Sequence, residues 1–435
     1  MDLPNKHLHV CKIFAAEYTL PFKLLIILLI FSRIRPDRLI AGGNFLTHFP
    51  TIVLFILGLH WLINPKKVLY NIQTKIILAL GAFMIIQIPL VRNSYEALSF
   101  VKSFLVFTLT GYLVKVQFID NLFKLHKYIT LMVISSIFFA VLGITGKGLV
   151  SIPLLGDEND FCLFMNTLIP FAFFMGQETD NNKKKVLYYS ILFLFVLANI
   201  TTFSRGGFVG LLAVGVFLLH RSKKKIAYIF LMLIILSSMI HFAPTGYWDE
   251  IKTIRTEGTI EGTGKQRVEL WKAGWKMFLD HPVMGVGPGN YGIWLPEYYT
   301  HDRPWTMWGR AAHSLYVTLL SEMGVVGTFF FLLILWWNYK DYRYIANLEK
   351  KIHTALIEQD IGHEETNVMK NLVQNLQLFS YSTAGAMVAY LATGVFISVL
   401  WYWYFWVFTS FLVITGNIGR NLEKEISTME QIQVP

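Results

Sequence analysis

AAHSLYVTLLSEMGVVGTFFFLLILWW, residues 311–337, runs from a polar approach into an apolar stretch that carries no charge after Glu322. Its length exceeds the roughly 20 residues that a bilayer span requires. Comparable runs lie near 20–34, 49–63, 75–91, 96–114, 127–146, 160–177, 186–203, 206–220, 226–243, 312–337, 380–397 and 400–416. They predict an all-α, polytopic membrane protein with about twelve transmembrane helices and one large external loop. Composition agrees. The 435 residues are 54% hydrophobic and only 15% charged, with a mean hydropathy of +0.49. A soluble chain carries about a quarter charged residues.

The net charge of +10 does not point to nucleic acid, because the positive residues sit mostly in short connections such as KK 66–67, KKK 183–185 and RSKKK 221–225. Clustering of Lys and Arg in short loops is a topology signal. It puts both termini in the cytoplasm and divides the chain into five parts. Residues 1–243 are an N-terminal bundle of about nine helices, and 244–311 an external catalytic loop. Residues 312–337 form a transmembrane helix opening with the His motif, 338–379 a charged cytoplasmic segment, and 380–435 the last two spans and a tail. Cys11 and Cys162 offer neither a disulfide framework nor metal-ligand spacing. No small-residue cleavage site precedes the first apolar run, so no removable signal peptide is expected.

Ionisable residues at a membrane boundary are functional candidates by default. His313 stands where the loop meets the apolar helix, and an imidazole there can exchange a proton near neutral pH. Glu322 follows nine residues later, half a helical rotation off the same face, which suits a partner on another span. Arg205, in TTFSRGGF, has no acidic neighbour in sequence, and its planar donor fork suits phosphate. The two glycines after it allow close approach. Within the loop, residues 265–279 read as an amphipathic helix. Val268, Trp271, Trp275 and Phe278 form its apolar stripe, with Arg267 on the same side as Trp271. Such a helix rests on membrane lipid with Arg267 at headgroup depth. Its other cations, Lys272 and Lys276, read equally well as snorkelling to lipid phosphates. VMGVGPGNY, residues 283–291, reads as a glycine-permitted turn. Asp157, Glu158 and Asp160 open the sixth span. They could hold a divalent cation, but a helix cap by Asn159 or Asp160 is the simpler reading. Six loop tryptophans (Trp248, Trp271, Trp275, Trp294, Trp305 and Trp308) suit sugar faces and the membrane interface equally well.

The order of SRGG, Arg267-x-x-x-Trp271, HPVMGVGPGNY (281–291) and AAHSLYVTLLSEMGVVG (311–327) resembles the O-antigen ligase superfamily. That group includes O-antigen polymerases and protein O-oligosaccharyltransferases. GDEND and AAHSLY are similar to its exosortase-associated branch. The resemblance implies transfer of a glycan from a polyprenyl pyrophosphate carrier to an acceptor hydroxyl on lipid A-core, glycan or protein. The reaction takes place at the outer face of the bacterial inner membrane, without cofactor or metal. Carried onto this chain, His313 is the catalytic base or acceptor-positioning residue, and Arg205 and Arg267 hold pyrophosphate. Lys265 and Arg310 are further phosphate candidates, with Trp271, Trp275, Asp157, Asn159 and Glu322 lining the substrate site. A polymerase joining lipid-linked repeat units differs only in the acceptor. A flippase or transporter also accounts for the spans, though it has no use for a loop rich in His, Arg and Trp.

Overall fold

Inside a bilayer a helix satisfies every backbone N–H and C=O within one segment, which is why apolar runs of this length become helices. The computed structural model describes residues 18–34, 46–63, 69–146, 157–221, 225, 237, 263–300, 304–358 and 363–433, and no strand occurs among them. The first half of the chain forms α1 (Leu20–Ile34), α2 (Phe49–Ile63), α3 (Ile72–Gln87), α4 (Ser94–Phe118, with a π turn at Phe104–Leu109) and α5 (Leu122–Thr145). Next come α6 (Glu158–Glu178), α7 (Asn182–Ile200) and α8 (Arg205–Arg221). The expected loop contributes α9 (Thr263–Asp280) and α10 (Tyr291–Tyr298), and α11 (Leu315–Glu358), α12 (His363–Thr393) and α13 (Trp403–Gln433) complete the described chain. Apart from residue 237, the expected span at 226–243 and the loop residues 244–262 lie outside the described residues.

Four helical segments among the described residues are long and apolar enough to cross a membrane: Ile72–Leu90, Ser94–Phe118, Leu122–Thr145 and Leu315–Ile352. The expectation of about twelve spans therefore stands only in part. The other described apolar runs are also helical, but they are shorter or more polar. The reason is clearest for α6, where every residue from Phe161 to Gly176 is buried by protein. α6 packs against α7, α8 and α12, so it meets side chains rather than lipid and can carry Asn166 and Thr167. Asn166 donates to the Gly207 carbonyl at 2.8 Å and accepts from Asn199 at 2.7 Å. The charged segment expected at 338–379 is largely helical, because α11 continues to Glu358 and α12 begins at His363.

One break in this regularity organises the His313 end of the bundle. α11 is interrupted at Gly324, whose φ of 59° and ψ of −160° are not helical. The break leaves backbone groups that the helix itself cannot pair, and residues 282–287 pair them. Val286 N–H donates to the Ser321 carbonyl (2.8 Å) and Gly287 N–H to that of Glu322 (2.9 Å). In return, Val325 N–H donates to Pro282 (2.8 Å) and Val326 N–H to Val283 (3.2 Å). The glycine-rich turn is thus a splint on a broken helix. Its glycines take positive φ at 285, 287 and 289 as the sequence led one to expect.

α9 and α10 enclose a small core of their own, built on Leu270, Ala273, Met277, Tyr291, Leu295 and Tyr299. The inward face of α9 is therefore Leu270–Ala273–Met277. The stripe read from the sequence points partly outwards, with Val268 45% and Trp275 52% exposed. The helix has two apolar faces, and the one bearing the smaller residues took the protein contact.

A β-carbon at position 324 would lie 2.5 Å from the Val283 carbonyl oxygen and sit at positive φ. Gly324→Ala is expected to destabilise the protein by about 1–3 kcal/mol, lowering its melting temperature in detergent. Val325→Ala, at an exposed side chain, should leave the melting temperature unchanged.

Candidate functional site

Three helix N-termini meet at the His313 end of the bundle. Ser204 caps α8, its hydroxyl accepting from Gly207 N–H at 3.0 Å and donating to Asn159 Oδ1 at 2.7 Å. Asn159 in turn donates from both N–H and Nδ2 to Asp157 Oδ1, at 2.7 and 2.8 Å. Asp157 is the N-cap of α6, so the cap falls two residues before the nearer of the two expected, Asn159 and Asp160. Arg205 begins α8 directly after Ser204 and is half-buried. One hydrogen-bonded chain thus joins Asp157, Asn159 and the residue next to Arg205. The glycines after Arg205 serve helix packing. A β-carbon at Gly206 would lie 3.3 Å from Asn159 Oδ1, and one at Gly207 would lie 2.5 Å from Cys162.

The third N-terminus is that of α11. Ser314 caps it, accepting from Val317 N–H at 3.5 Å through its hydroxyl and from Thr318 N–H at 3.0 Å through its carbonyl. Leu315 N–H is taken by the Gly394 carbonyl at 2.7 Å. Just before the cap, His313 sits at φ 50°, and Phe203, just before Ser204, at φ 54°. These are the only non-glycine residues at positive φ among the described residues. For ordinary side chains that conformation costs about 1–3 kcal/mol, and such outliers gather at functional sites. Both fall in the turn that presents a predicted site residue.

α9 delivers Arg267. Trp271, one turn further on, donates its indole N–H to the Ala312 carbonyl at 3.1 Å, so α9 is fastened to the residue beside His313. Lys265 lies on the first turn of the same helix, and Arg310 is exposed three residues before His313. The electrostatics of His313 tie these groups together. Its pKa is lowered, first by loss of water around the ring and then by the Arg267 and Arg310 charges, with Asp157 opposing. A His so placed stays neutral at pH 7 and retains a lone pair. The surrounding cations and helix N-termini favour an anion.

Two predicted residues stand differently. Trp275 is exposed and rests on Phe278 at 5.3 Å. Glu322 is only 4% exposed, and its carboxylate accepts from Tyr291 N–H at 3.3 Å and from Trp401 Nε1 at 3.2 Å. It binds the glycine turn and another segment rather than His313, as its half-rotation offset implied.

The connection between α12 and α13, residues 394–402, was not singled out by sequence, yet it touches Trp271 of α9, Asp160 of α6 and both Leu315 and Glu322 of α11. Phe396 packs on Trp271, with ring centroids 6.3 Å apart. Trp401 holds Glu322, and Tyr402 donates to Asp160 Oδ2 at 3.1 Å. The one available signal was the aromatic run LWYWYFW (400–406), which reads equally well as the start of a span.

Residues 190–332 match the family model described as O-antigen ligase. The chain is also similar to the teichuronic acid biosynthesis protein TuaE of Bacillus subtilis (strain 168), being 25% identical over 342 residues, or 74% of this chain and 67% of that protein. The matched stretch holds Arg205, Arg267, Arg310 and His313, whereas Asp157, Asn159 and residues 394–402 lie outside it. With these motifs drawn to one end of an apolar helical bundle, the chain is a membrane protein whose residues 190–332 match the O-antigen ligase family model.

Proposed function

We propose that this protein transfers a glycan from a polyprenyl pyrophosphate carrier to an acceptor hydroxyl, at the external end of the bundle where His313 lies. The observation that carries the reading is the shared electrostatic neighbourhood of His313, Arg267, Arg310 and Asp157. Arg205 is wired to the same place through Ser204 and Asn159.

The chemistry follows from the groups present. The acceptor oxygen attacks the anomeric carbon while the carbon–oxygen bond to pyrophosphate breaks on the opposite side, which inverts that centre. Pyrophosphate leaves with the polyprenyl chain, carrying the bonding electron pair. Arg205 and Arg267 stabilise the charge that builds there, an effect largest when donors are fixed before reaction. His313 takes the acceptor proton, and its lowered pKa keeps it free to do so. Pyrophosphate is a good leaving group, so the mechanism calls for no general acid. The acceptor alone divides a ligase from a polymerase. The polysaccharide context of TuaE is compatible with both.

Purified protein in nanodiscs, given a polyprenyl pyrophosphate-linked oligosaccharide and lipid A-core, peptide or donor glycan as acceptor, is expected to release polyprenyl pyrophosphate and form a new glycoconjugate. Mass spectrometry reads both products. His313→Ala should slow transfer by roughly 10²–10⁴-fold, the usual contribution of a positioned base. Arg205→Ala should slow it by about 10²–10³-fold, the scale of one lost charge-stabilising donor. Normal transfer by both variants, or none by wild type, would sink the reading. EDTA in one arm should leave the rate unchanged.

The pH profile gives an independent check. Activity should persist below pH ~6.5, the ordinary imidazole value, and fall as the lowered His313 pKa is crossed. Arg310→Gln removes a cation that disfavours protonation, so its acidic limb should move to higher pH. Asp157→Asn keeps a capping side chain but removes the opposing charge, so its limb should move to lower pH. A limb unmoved by either substitution would exclude His313 as the titrating base.

A further inference from the structure

Away from the His313 neighbourhood, the far end of α9 and the end of α10 border an open cavity of about 350 Å³. Lys276, Asp280, Glu297, Tyr298, Tyr299 and Thr300 line it. The size falls within the range of small-ligand sites. Of the lining residues, Tyr298 packs on Trp294 at 6.2 Å, and Trp294 in turn on His281 at 5.2 Å. Loss of water and the neighbouring Asp280 carboxylate raise the pKa of the Tyr298 hydroxyl. Arg92 pairs with Glu297 and lies over Trp294 at 4.9 Å.

The charges at this cavity balance. Lys276 and Arg92 stand against Asp280 and Glu297, so nothing here favours a phosphate as the surroundings of His313 do. What the lining offers is carboxylate oxygens, a tyrosine hydroxyl and a threonine hydroxyl beside aromatic rings. Carboxylates accept strongly from hydroxyl groups, and aromatic rings supply apolar faces with a polar edge. A neutral polyhydroxylated ring meets both demands. Position adds to the argument. Lys276 is nine residues beyond Arg267 on one continuous helix, or about 14 Å at 1.5 Å per residue. Asp280 is four residues further on. A glycan whose reacting end lies at Arg267 and His313 would have to extend several sugar units to reach this cavity.

We propose that the cavity between α9 and α10 is a distal glycan subsite that binds uncharged sugar residues several units away from the bond being made. It rests on the glycan-transfer reading and adds to it a preference for long chains. A subsite at that distance contributes binding only to substrates long enough to span the gap, so it sets chain-length selectivity without touching the reacting atoms.

The test compares polyprenyl pyrophosphate donors carrying one disaccharide with donors carrying several repeat units, using the full chain in nanodiscs. Asp280→Asn and, separately, Tyr298→Phe are expected to raise KM for the long donor about tenfold, the scale of one lost charge-assisted hydrogen bond. KM for the short donor, kcat and the melting temperature should be unchanged. Equal changes for both lengths, or none for either, would overturn the subsite. Binding of the released long oligosaccharide, without lipid, is measured in parallel by saturation-transfer NMR. Its loss in Asp280→Asn supports the cavity even if wild type transfers nothing, an outcome that would remove the proposed function alone. Binding undiminished in both variants would overturn the subsite whatever the transfer assay gives.

Discussion

A helix broken inside a membrane protein leaves N–H and C=O groups that lipid cannot satisfy, and each unpaired group costs several kcal/mol. In this protein four backbone hydrogen bonds between residues 282–287 and the two sides of Gly324 meet that demand. Almost everything at the His313 end follows from this splint. It holds the turn against α3, where Gln87 donates to the Met284 and Glu322 carbonyls. It brings Tyr291 N–H to the Glu322 carboxylate, and it seats α10 so that the Tyr291 hydroxyl can reach the Leu270 carbonyl on α9 at 2.7 Å. α9, thus seated, presents Arg267 and fastens Trp271 beside His313. The glycines of this region are needed by backbone meeting backbone, with Gly285 and Gly324 at the point of contact.

The arrangement also separates two duties. Glu322, Trp401 and Tyr402 spend their polar atoms on other parts of the protein, whereas His313, Arg267 and Arg310 remain at the surface of the site. Rigid elements with committed hydrogen bonds hold a reactive group more closely than a loop can. The turns at Phe203 and His313 each lead directly into a hydrogen-bonded cap, at Ser204 and Ser314, which holds the strained residue in place.

Much of this is legible in the sequence. Apolar periodicity located the helices, and the motifs around Arg205, Arg267 and His313 located the residues that share one end of the bundle. What could not be read was partnership across distance. Nothing in LWYWYFW announces that Trp401 answers Glu322, or that Tyr402 answers Asp160. On α9, two apolar faces compete, and a single sequence favours the one with the larger residues. The structure buries Leu270, Ala273 and Met277, and Gly274 beside them lets α9 approach Val317 of α11 and Tyr291 of α10 closely. Span counting met a similar limit. A helix such as α6, wrapped by protein, is free to be more polar than one facing lipid, so hydropathy alone cannot rank it.

The burial of α6 bears on how the molecule is made. Its principal neighbour, α12, is encoded in the last quarter of the chain, so α6 is synthesised long before that surface exists. Gly210 of α8 is shaped to the same late partner, since a β-carbon there would lie 2.0 Å from Thr393 Oγ1. Only once α12 has been made can the faces of α6 and α8 that meet it be covered by protein. The stretch that matches the O-antigen ligase model, residues 190–332, is thus framed by α6 before it and α12 after it, which pack on each other.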